Sequence, residues 1–365
     1  MLDRSKVARE FASRGDELFI DYSNELAIAR MYWQKILADP VLQQKIPFVQ
    51  SVGILPTWQD ALDATSAIDP IHTYHVLAVD GSQIYPDRHQ GVSCYLVNTG
   101  SAYCKYAATG IAQFNSEPRI ASGITEAGEI TPDIVDCIRT ELELRDSLIK
   151  SREYRTDALE QYMVMMDGSL IFWHLDSKDD VTKNRFLTSY LTIFQQLYTE
   201  RILHAGVISL PKSKELVHII AAAVKVLGKE DTFTHCVDTD IALFFLVAGQ
   251  RTGVFKNNSP IVSFYQEMVQ PYFFYMHTGY EIVRCEIPAW IAREHALVDT
   301  VARIVLDQTK KGYGYPVCLA EAHEQAVVKG ADREFFYLML QKMALARNQR
   351  YAFSQKSMKK RMISV

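Results

Sequence analysis

Residues 75–82 read HVLAVDGS and residues 162–169 read YMVMMDGS, so two apolar runs end in the same tripeptide. A short apolar run with clear limits is typical of a buried strand. Each predicted strand ends in a carboxylate, Asp80 in the first and Asp167 in the second. Two acids that meet at strand ends favour a divalent metal site, because such ions prefer carboxylate oxygens.

The composition is that of a globular protein with a substantial core. The 365 residues are 48% hydrophobic and 22% charged, and the formal net charge is -4. This charge argues against a strongly basic nucleic-acid coat but permits a local basic groove. The six cysteines include no C-x-x-C pair, which indicates buried thiols in a reducing compartment. No signal peptide or membrane-spanning run is visible, so we expect a cytoplasmic protein.

The chain divides into three predicted regions. Residues 1–70 form a helical N-terminal extension and connector, residues 71–345 an α/β domain, and residues 346–365 a basic C-terminal tail. The α/β domain begins with the first DGS strand. A hairpin is predicted over residues 91–108, with its turn at the Asn-Thr-Gly-Ser of residues 98–101.

A helix is predicted to begin at residues 131–133 (Thr-Pro-Asp) and to run to about Ser151. The second DGS strand follows it. This order of strand, hairpin, helix and strand favours an RNase H-like mixed sheet flanked by helices.

The predicted helix supplies a third acid. At about 100° per residue, its apolar face includes Glu141, whereas Glu143 projects to the opposite side and towards solvent. The face that we expect to pack on the core is formed by Ile134, Ile138, Leu142, Arg145, Leu148 and Ile149. A carboxylate on a packing face is costly unless it is paired or binds metal. Glu141 is therefore a candidate ligand; alternatively, it pairs with Arg145 four residues later.

Asp80, Glu141 and Asp167 together suggest metal-dependent phosphodiester hydrolysis. A carboxylate cluster can hold one or two Mg²⁺ or Mn²⁺ ions. Two ions about 3.5–4 Å apart can activate water and stabilise the leaving oxygen.

A second group of candidates lies in residues 312–323, GYGYPVCLAEAH. Tyr315 precedes a proline, so it is expected to be extended, with a helix beginning just after it. His323 falls in the first turns of that helix, where it could position a phosphate or transfer a proton. Alternatively, His323 is a structural residue.

Basic residues are candidates for contacts with a nucleic-acid backbone. They are Arg145, Lys212, Lys214, Arg347 and Arg350. The chain after Gln341 is basic without any acid, so it could bind phosphates, and salt would then weaken binding. A solvated loop around Lys212 and a disordered solvated tail are the alternatives.

The motifs resemble those of the NurA family of DNA end-processing nucleases. They are Val79-Asp80-Gly81-Ser82, Glu141-Leu142, residues 166–170 (Met-Asp-Gly-Ser-Leu), and the segment from Tyr315-Pro316 to Ala322-His323. The resemblance spans about residues 74–330, in the family's order. It implies an RNase H-like nuclease that depends on Mn²⁺ or Mg²⁺, with two ions expected.

By matching position, the resemblance implies that Asp80, Glu141 and Asp167 hold the metal, with Tyr315 and His323 beside them. Residues 151–161 form a long connection, so Glu143 is the alternate for the family's glutamate. The resemblance also implies exonuclease action on DNA ends, with single-strand endonuclease activity, in end resection and repair. The implied partners are DNA, a hexameric HerA-type ATPase translocase and a second copy in a homodimer.

Two other functions are considered. An actin-like phosphotransferase also uses acids at strand ends, but it usually needs a glycine-rich phosphate turn that this sequence does not show. A non-catalytic protein that binds DNA or the translocase would keep the fold without the reaction. The presence of all three acids argues against it.

Overall fold

The computed structural model describes residues 2–50, 52–87, 93–125, 128–155 and 161–347. The helices are α1 Arg4–Leu18, α2 Ser23–Ala38, α3 Pro40–Lys45, α4 Pro132–Tyr154, α5 Asp180–Thr199, α6 Glu215–Val226, α7 Asp238–Ala242, α8 Ala289–Ala292, α9 His295–Lys311, α10 Val317–Ala326 and α11 Gly330–Ala346. Along these stretches, no helix has the combination of length and apolar character needed to cross a membrane.

The strands form one large sheet and a small separate ribbon. They are β1 Thr57–Trp58, β2 Thr65–Ala67, β3 Tyr74–Ile84, β4 Cys94–Tyr106, β5 Ile111–Ser122, β6 Ile124–Thr125, β7 Gly128–Glu129, β8 Tyr162–Asp167, β9 Leu203–Ile208, β10 Gln250–Thr252, β11 Phe255–Lys256, β12 Pro271–His277 and β13 Ile282–Pro288. The order across the large sheet is β1-β11-β12-β13-β9-β8-β3-β4-β5, and β10 joins β12 to β2.

The centre of the sheet has the predicted RNase H-like arrangement. Strands β3, β4 and β5 are an antiparallel meander, and β8 and β9 run parallel to β3. The parallel register pairs residues 75–78 of β3 with residues 162–165 of β8. Because parallel strands have their carboxyl ends at the same edge of a sheet, Asp80 and Asp167 leave in the same direction.

Side chains alternate between two cores along β3. Val76 and Ala78 pack on the face covered by α9 and α10, and Leu77 and Val79 pack on the face covered by α4 and α5. The carboxyl edge of β3 and β8 therefore lies between helices from both faces of the sheet.

The predicted end of the first strand at Asp80 is wrong. Strand β3 continues to Ile84, and Asp80 stands opposite Gly100 of β4. The pairing with β8 stops at Ala78, so Asp80 lies just beyond the last residue that is paired on that side.

The predicted hairpin at residues 91–108 is also wrong, because β4 runs without a break through the expected turn. A Cβ on Gly100 would lie 2.2 Å from the backbone nitrogen of Ala326 at the end of α10. The Asn98 Nδ2 donates to the Ala326 carbonyl oxygen at 2.8 Å. These residues resemble a turn because they are small and polar, but they form the surface on which α10 ends.

The first 70 residues contribute to the fold rather than standing apart from it. Helices α2 and α3 pack on α6 in a core that also contains Phe273 of the sheet, and β1 and β2 extend the sheet. Helix α1 is exposed along most of its length. The three-part division of the chain stays a prediction, and residues 348–365 of the basic tail lie outside the described residues.

We expect Gly100→Ala to destabilise the protein. The added methyl group would meet backbone atoms of α10, which cannot move as a flexible side chain does. We expect a loss of about 1–3 kcal/mol in the free energy of unfolding, measured by denaturant titration. Gly110→Ala is the control, because its Cβ would contact only the Lys105 oxygen at 3.7 Å. Equal stability of the two variants would contradict this account of the packing of α10.

Candidate metal centre

Asp80 and Asp167 lie together with the two residues predicted from the C-terminal segment. The Asp80 Oδ2 is 2.8 Å from the His323 Nδ1, and the Asp80 Oδ1 accepts from the Gly81 N–H at 2.8 Å. Tyr315 lies close enough to Asp167 and Asp80 for the charges of these carboxylates to act on its hydroxyl. Helix α10 and the residues just before it thus bring Tyr315 and His323 to the two acids.

The predicted orientation of α4 is wrong. The Glu141 Oε1 accepts from the Ser189 Oγ of α5 at 2.5 Å, away from the aspartates. Glu143 lines the same cavity as Asp80 and Asp167, and its Oε1 is 3.5 Å from the Arg139 Nε. The structure therefore brings Glu143, rather than Glu141, to the aspartates.

The helical projection assigned the wrong face of α4 to the core, because the face that is actually buried is partly polar. Asp146 and Lys150 are buried there and form ion pairs with β5, from Asp146 to Arg119 at 2.8 Å and from Lys150 to Glu117 at 2.7 Å. The apolar Ile149 is instead 51% exposed. Buried charges are tolerated when they are paired, and a hydrophobic pattern does not reveal them.

The electrostatics of the site disfavour charge on Glu143. Burial, together with the charges of Asp80 and Asp167, raises the pKa of Glu143 to about 8, although Arg139 opposes the shift. Loss of hydration around Asp167, with the nearby charge of Asp80, also raises the pKa of Asp167. Burial raises the pKa of Tyr315 above its usual value, and the Asp167 charge adds to the shift, so the hydroxyl keeps its proton and can donate.

The cavity beside these acids has a volume of about 340 Å³. Arg139, Trp173 and His174 also line it, and no sequence pattern indicated them as site residues. Burial lowers the pKa of His174, which favours its neutral form. Arg139 precedes Glu143 by one helical turn, and this spacing is the signal that could have identified the pair.

The side chains at this site offer the type of donor atom that a divalent cation prefers. Asp80, Glu143 and Asp167 offer hard oxygen atoms, and their mutual repulsion is what a bound cation would relieve. Across the described part of the chain, no three His, Cys, Asp or Glu side chains are grouped closely enough to hold a metal ion as they stand. Glu143 is paired with Arg139, and Asp80 with His323.

The predicted backbone-binding residues are scattered. Lys212 and Lys214 line a second cavity beside the second DGS turn. Arg145 is exposed on α4, and Arg347 is exposed at the end of α11. Arg350 lies outside the described residues.

The chain matches one family model and is similar to several solved structures. The family model for the NurA domain matches residues 74–328. The crystal structure of the NurA nuclease from Sulfolobus solfataricus is 13% identical, with a TM-score of 0.55 over 95% of this chain and 98% of that chain. A NurA structure bound to dAMP and manganese is 11% identical, with a TM-score of 0.38 over 91% of this chain and 95% of that chain. No curated protein matches the sequence significantly.

We expect the raised pKa of Glu143 to make the metal-free protein less stable as the pH rises. The folded state retains the proton up to about pH 8, whereas the unfolded chain releases it near 4.5, so stability falls between those values. In EDTA, Glu143→Gln should remove this loss of stability. At pH 8.5 the free energy of unfolding of the variant should exceed that of the wild type by on the order of 1–3 kcal/mol.

Denaturant titrations at several pH values measure the effect, with Glu141→Gln as the matched control. The account would be contradicted by a Glu143→Gln profile that runs parallel to that of the wild type.

Proposed function

The chain belongs to the NurA family, and from this premise we propose that it is a metal-dependent deoxyribonuclease that hydrolyses phosphodiester bonds. The observation that carries the proposal is the meeting of Asp80, Glu143 and Asp167 in one cavity. They meet at the carboxyl edge of parallel strands in an RNase H-like sheet. A cluster of acids beside a cavity suits metal-assisted cleavage of a phosphodiester.

We propose Asp80, Asp167 and Glu143 as the metal ligands, with Glu143 in the place that the sequence assigned to Glu141. The expected cofactor is Mn²⁺ or Mg²⁺, with two ions, and a similar NurA structure is bound to manganese. When bound, such ions supply Lewis-acid stabilisation of charge on phosphate and a water molecule of lowered pKa.

His323 and Tyr315 have complementary proposed roles. The His323 ring is held against Asp80 by one nitrogen while 61% of its side chain stays exposed, so it can meet a substrate phosphate or transfer a proton. Tyr315 keeps its proton and lies beside Asp167, so its hydroxyl can donate to that carboxylate and orient it. These groups would align the scissile phosphate with the ligand carboxylates.

The finer biological proposals rest on the family resemblance. We propose exonuclease action on DNA ends, with single-strand endonuclease activity, in end resection and repair. The proposed setting is the cytoplasm, in a homodimer that works with a hexameric HerA-type translocase. The family placement favours a nuclease over an actin-like phosphotransferase, and the variants below test for a non-catalytic protein.

We expect the identity of the third acid to be decided by paired variants. Glu143→Gln, Asp80→Asn and Asp167→Asn should each reduce Mn²⁺-dependent cleavage of linear DNA by roughly two or more orders of magnitude, because each removes a proposed ligand. Glu141→Gln should retain activity, because its carboxylate bonds to Ser189 outside the cavity.

Initial rates are compared after thermal unfolding has shown that the variants are folded. Full activity of Asp80→Asn would refute the metal mechanism. Loss of activity in Glu141→Gln with retention in Glu143→Gln would return the ligand role to Glu141.

Dependence on DNA ends is tested with linear and circular duplexes of the same sequence. We expect Mn²⁺-dependent loss of end label from the linear form, while the closed circle persists because it offers no end. The assay is run with and without the cognate translocase, which we expect to increase the rate on linear DNA. Equal degradation of both duplexes would contradict end-dependence.

A further inference from the structure

A second cavity opens on the other side of the second DGS turn. Its volume is about 390 Å³, within the usual range for sites that hold small organic groups. Ser169 and Trp173 line both this cavity and the one that contains the acids. The two cavities are therefore neighbours that share a wall, which places the second cavity beside the acids.

The walls of the second cavity are mainly apolar, and Ile54, Ile208 and Pro211 contribute to them. The charged side chains at the floor of the cavity form ion pairs with one another. Arg284 contacts Glu215 and Glu286, each at 2.8 Å. One guanidinium faces two carboxylates there, so the floor of the cavity has an excess of negative charge and suits an uncharged group more than a phosphate.

Glu286 also links the floor of the second cavity to the second DGS turn by hydrogen bonds. Its Oε2 accepts from the Ser169 Oγ at 2.7 Å and from the Leu170 N–H at 2.8 Å. The second DGS turn, whose Asp167 faces the first cavity, is thereby fixed to the buried charges of the second. These hydrogen bonds fix the position of the second cavity relative to the acids.

Positive charge lies at the rim. Lys212 is exposed on the loop and forms no ion pair within the described parts of the chain. Lys214 is partly exposed, and its Nζ donates to the Thr234 carbonyl oxygen at 2.6 Å. A phosphate at the rim would therefore meet the ammonium group of Lys212, while an apolar group enters the cavity.

Trp173 stands where the two cavities meet. Its side chain is 41% exposed, whereas Trp33 and Trp290 are buried in cores at 1% and 2%. Trp173 begins a short 3-10 turn, Trp173–Leu175, and its backbone N–H donates to the Ile171 carbonyl oxygen at 2.9 Å. A partly exposed indole on a fixed backbone is suited to stack on a nucleobase.

We propose that the second cavity binds the base of a nucleotide adjacent to the cleaved phosphodiester, stacked on Trp173, with Lys212 at the strand's phosphate. The ligand class is single-stranded DNA, and the inference rests on the proposed nuclease function. The shared wall, the apolar interior and the basic rim together match one nucleotide, with its base inside and its phosphate outside.

The first test measures binding in EDTA, so that cleavage does not contribute. A fluorescein-labelled strand of thymidines is titrated with the whole protein, and anisotropy gives the Kd. Trp173→Ala should weaken binding roughly 10-fold, and Trp173→Phe should restore most of it, because phenylalanine can still stack. Lys212→Gln should lower the slope of log Kd against log salt by about one.

Two matched controls lie elsewhere on the surface. Phe19→Ala removes an aromatic ring that is 80% exposed after α1, and Lys229→Gln removes an exposed lysine beyond the far end of α6. Neither should change the Kd. An unchanged Kd for Trp173→Ala, or an equal loss in the controls, would overturn the base site.

The second test locates the base. A set of strands, each with one abasic unit at a different position, is titrated in the same way. The wild type should lose affinity at one position or two adjacent ones, and Trp173→Ala should lose that discrimination. A uniform effect at all positions would overturn the inference.

Cleavage of the same strands with Mn²⁺ is measured separately, so the two proposals can fail independently. Position-dependent binding without cleavage would refute the nuclease and leave the base site standing. Cleavage that is insensitive to Trp173 and to abasic units would overturn the base site and leave the nuclease standing.

Discussion

The parallel pairing of β3 with β8 is the constraint on which the site depends. Its register, residues 75–78 against residues 162–165, sends Asp80 and Asp167 out of the same edge of the sheet. A parallel pair needs a crossover, and α4 belongs to that crossover and packs against β3. The third acid, Glu143, is carried on this helix, so its approach to the aspartates follows from the topology that aligns them.

Two glycines that follow the aspartates serve different purposes. Gly81 continues β3, and a Cβ there would lie 2.4 Å from the Glu143 Oε1, so its lack of a side chain leaves room for the third carboxylate. Gly168 has a φ of +99°, a conformation that side chains disfavour, and it turns the chain out of β8. The identical tripeptides therefore have different local structures, one in a continuous strand and the other in a turn.

Features that depend on hydrophobic pattern and on the order of the elements could be predicted from the sequence. The apolar runs predicted β3 and β8, and the element order predicted the RNase H-like sheet. The sequence offered Glu143 only as the alternate to Glu141, because the ion-paired Asp146 and Lys150 occupy part of the buried face of α4, and an apolar projection assigns such residues to solvent. It misread Gly100 as a turn, because the helix end that packs there is distant in sequence.

The charges around the cavity connect the stability of the site with its proposed chemistry. Asp80, Glu143 and Asp167 repel one another, and burial together with that repulsion raises the pKa of Glu143 to about 8. Arg139 and His323 each hold one of these acids and offset part of the repulsion. A divalent cation at the proposed site would offset more of it by replacing Arg139 and His323 as the partners of these acids. Glu143 and Asp167, whose raised pKa values mean that their ionisation weakens the metal-free fold, are then acids that would bind the cation, and such a loss of stability is a common cost of a functional site.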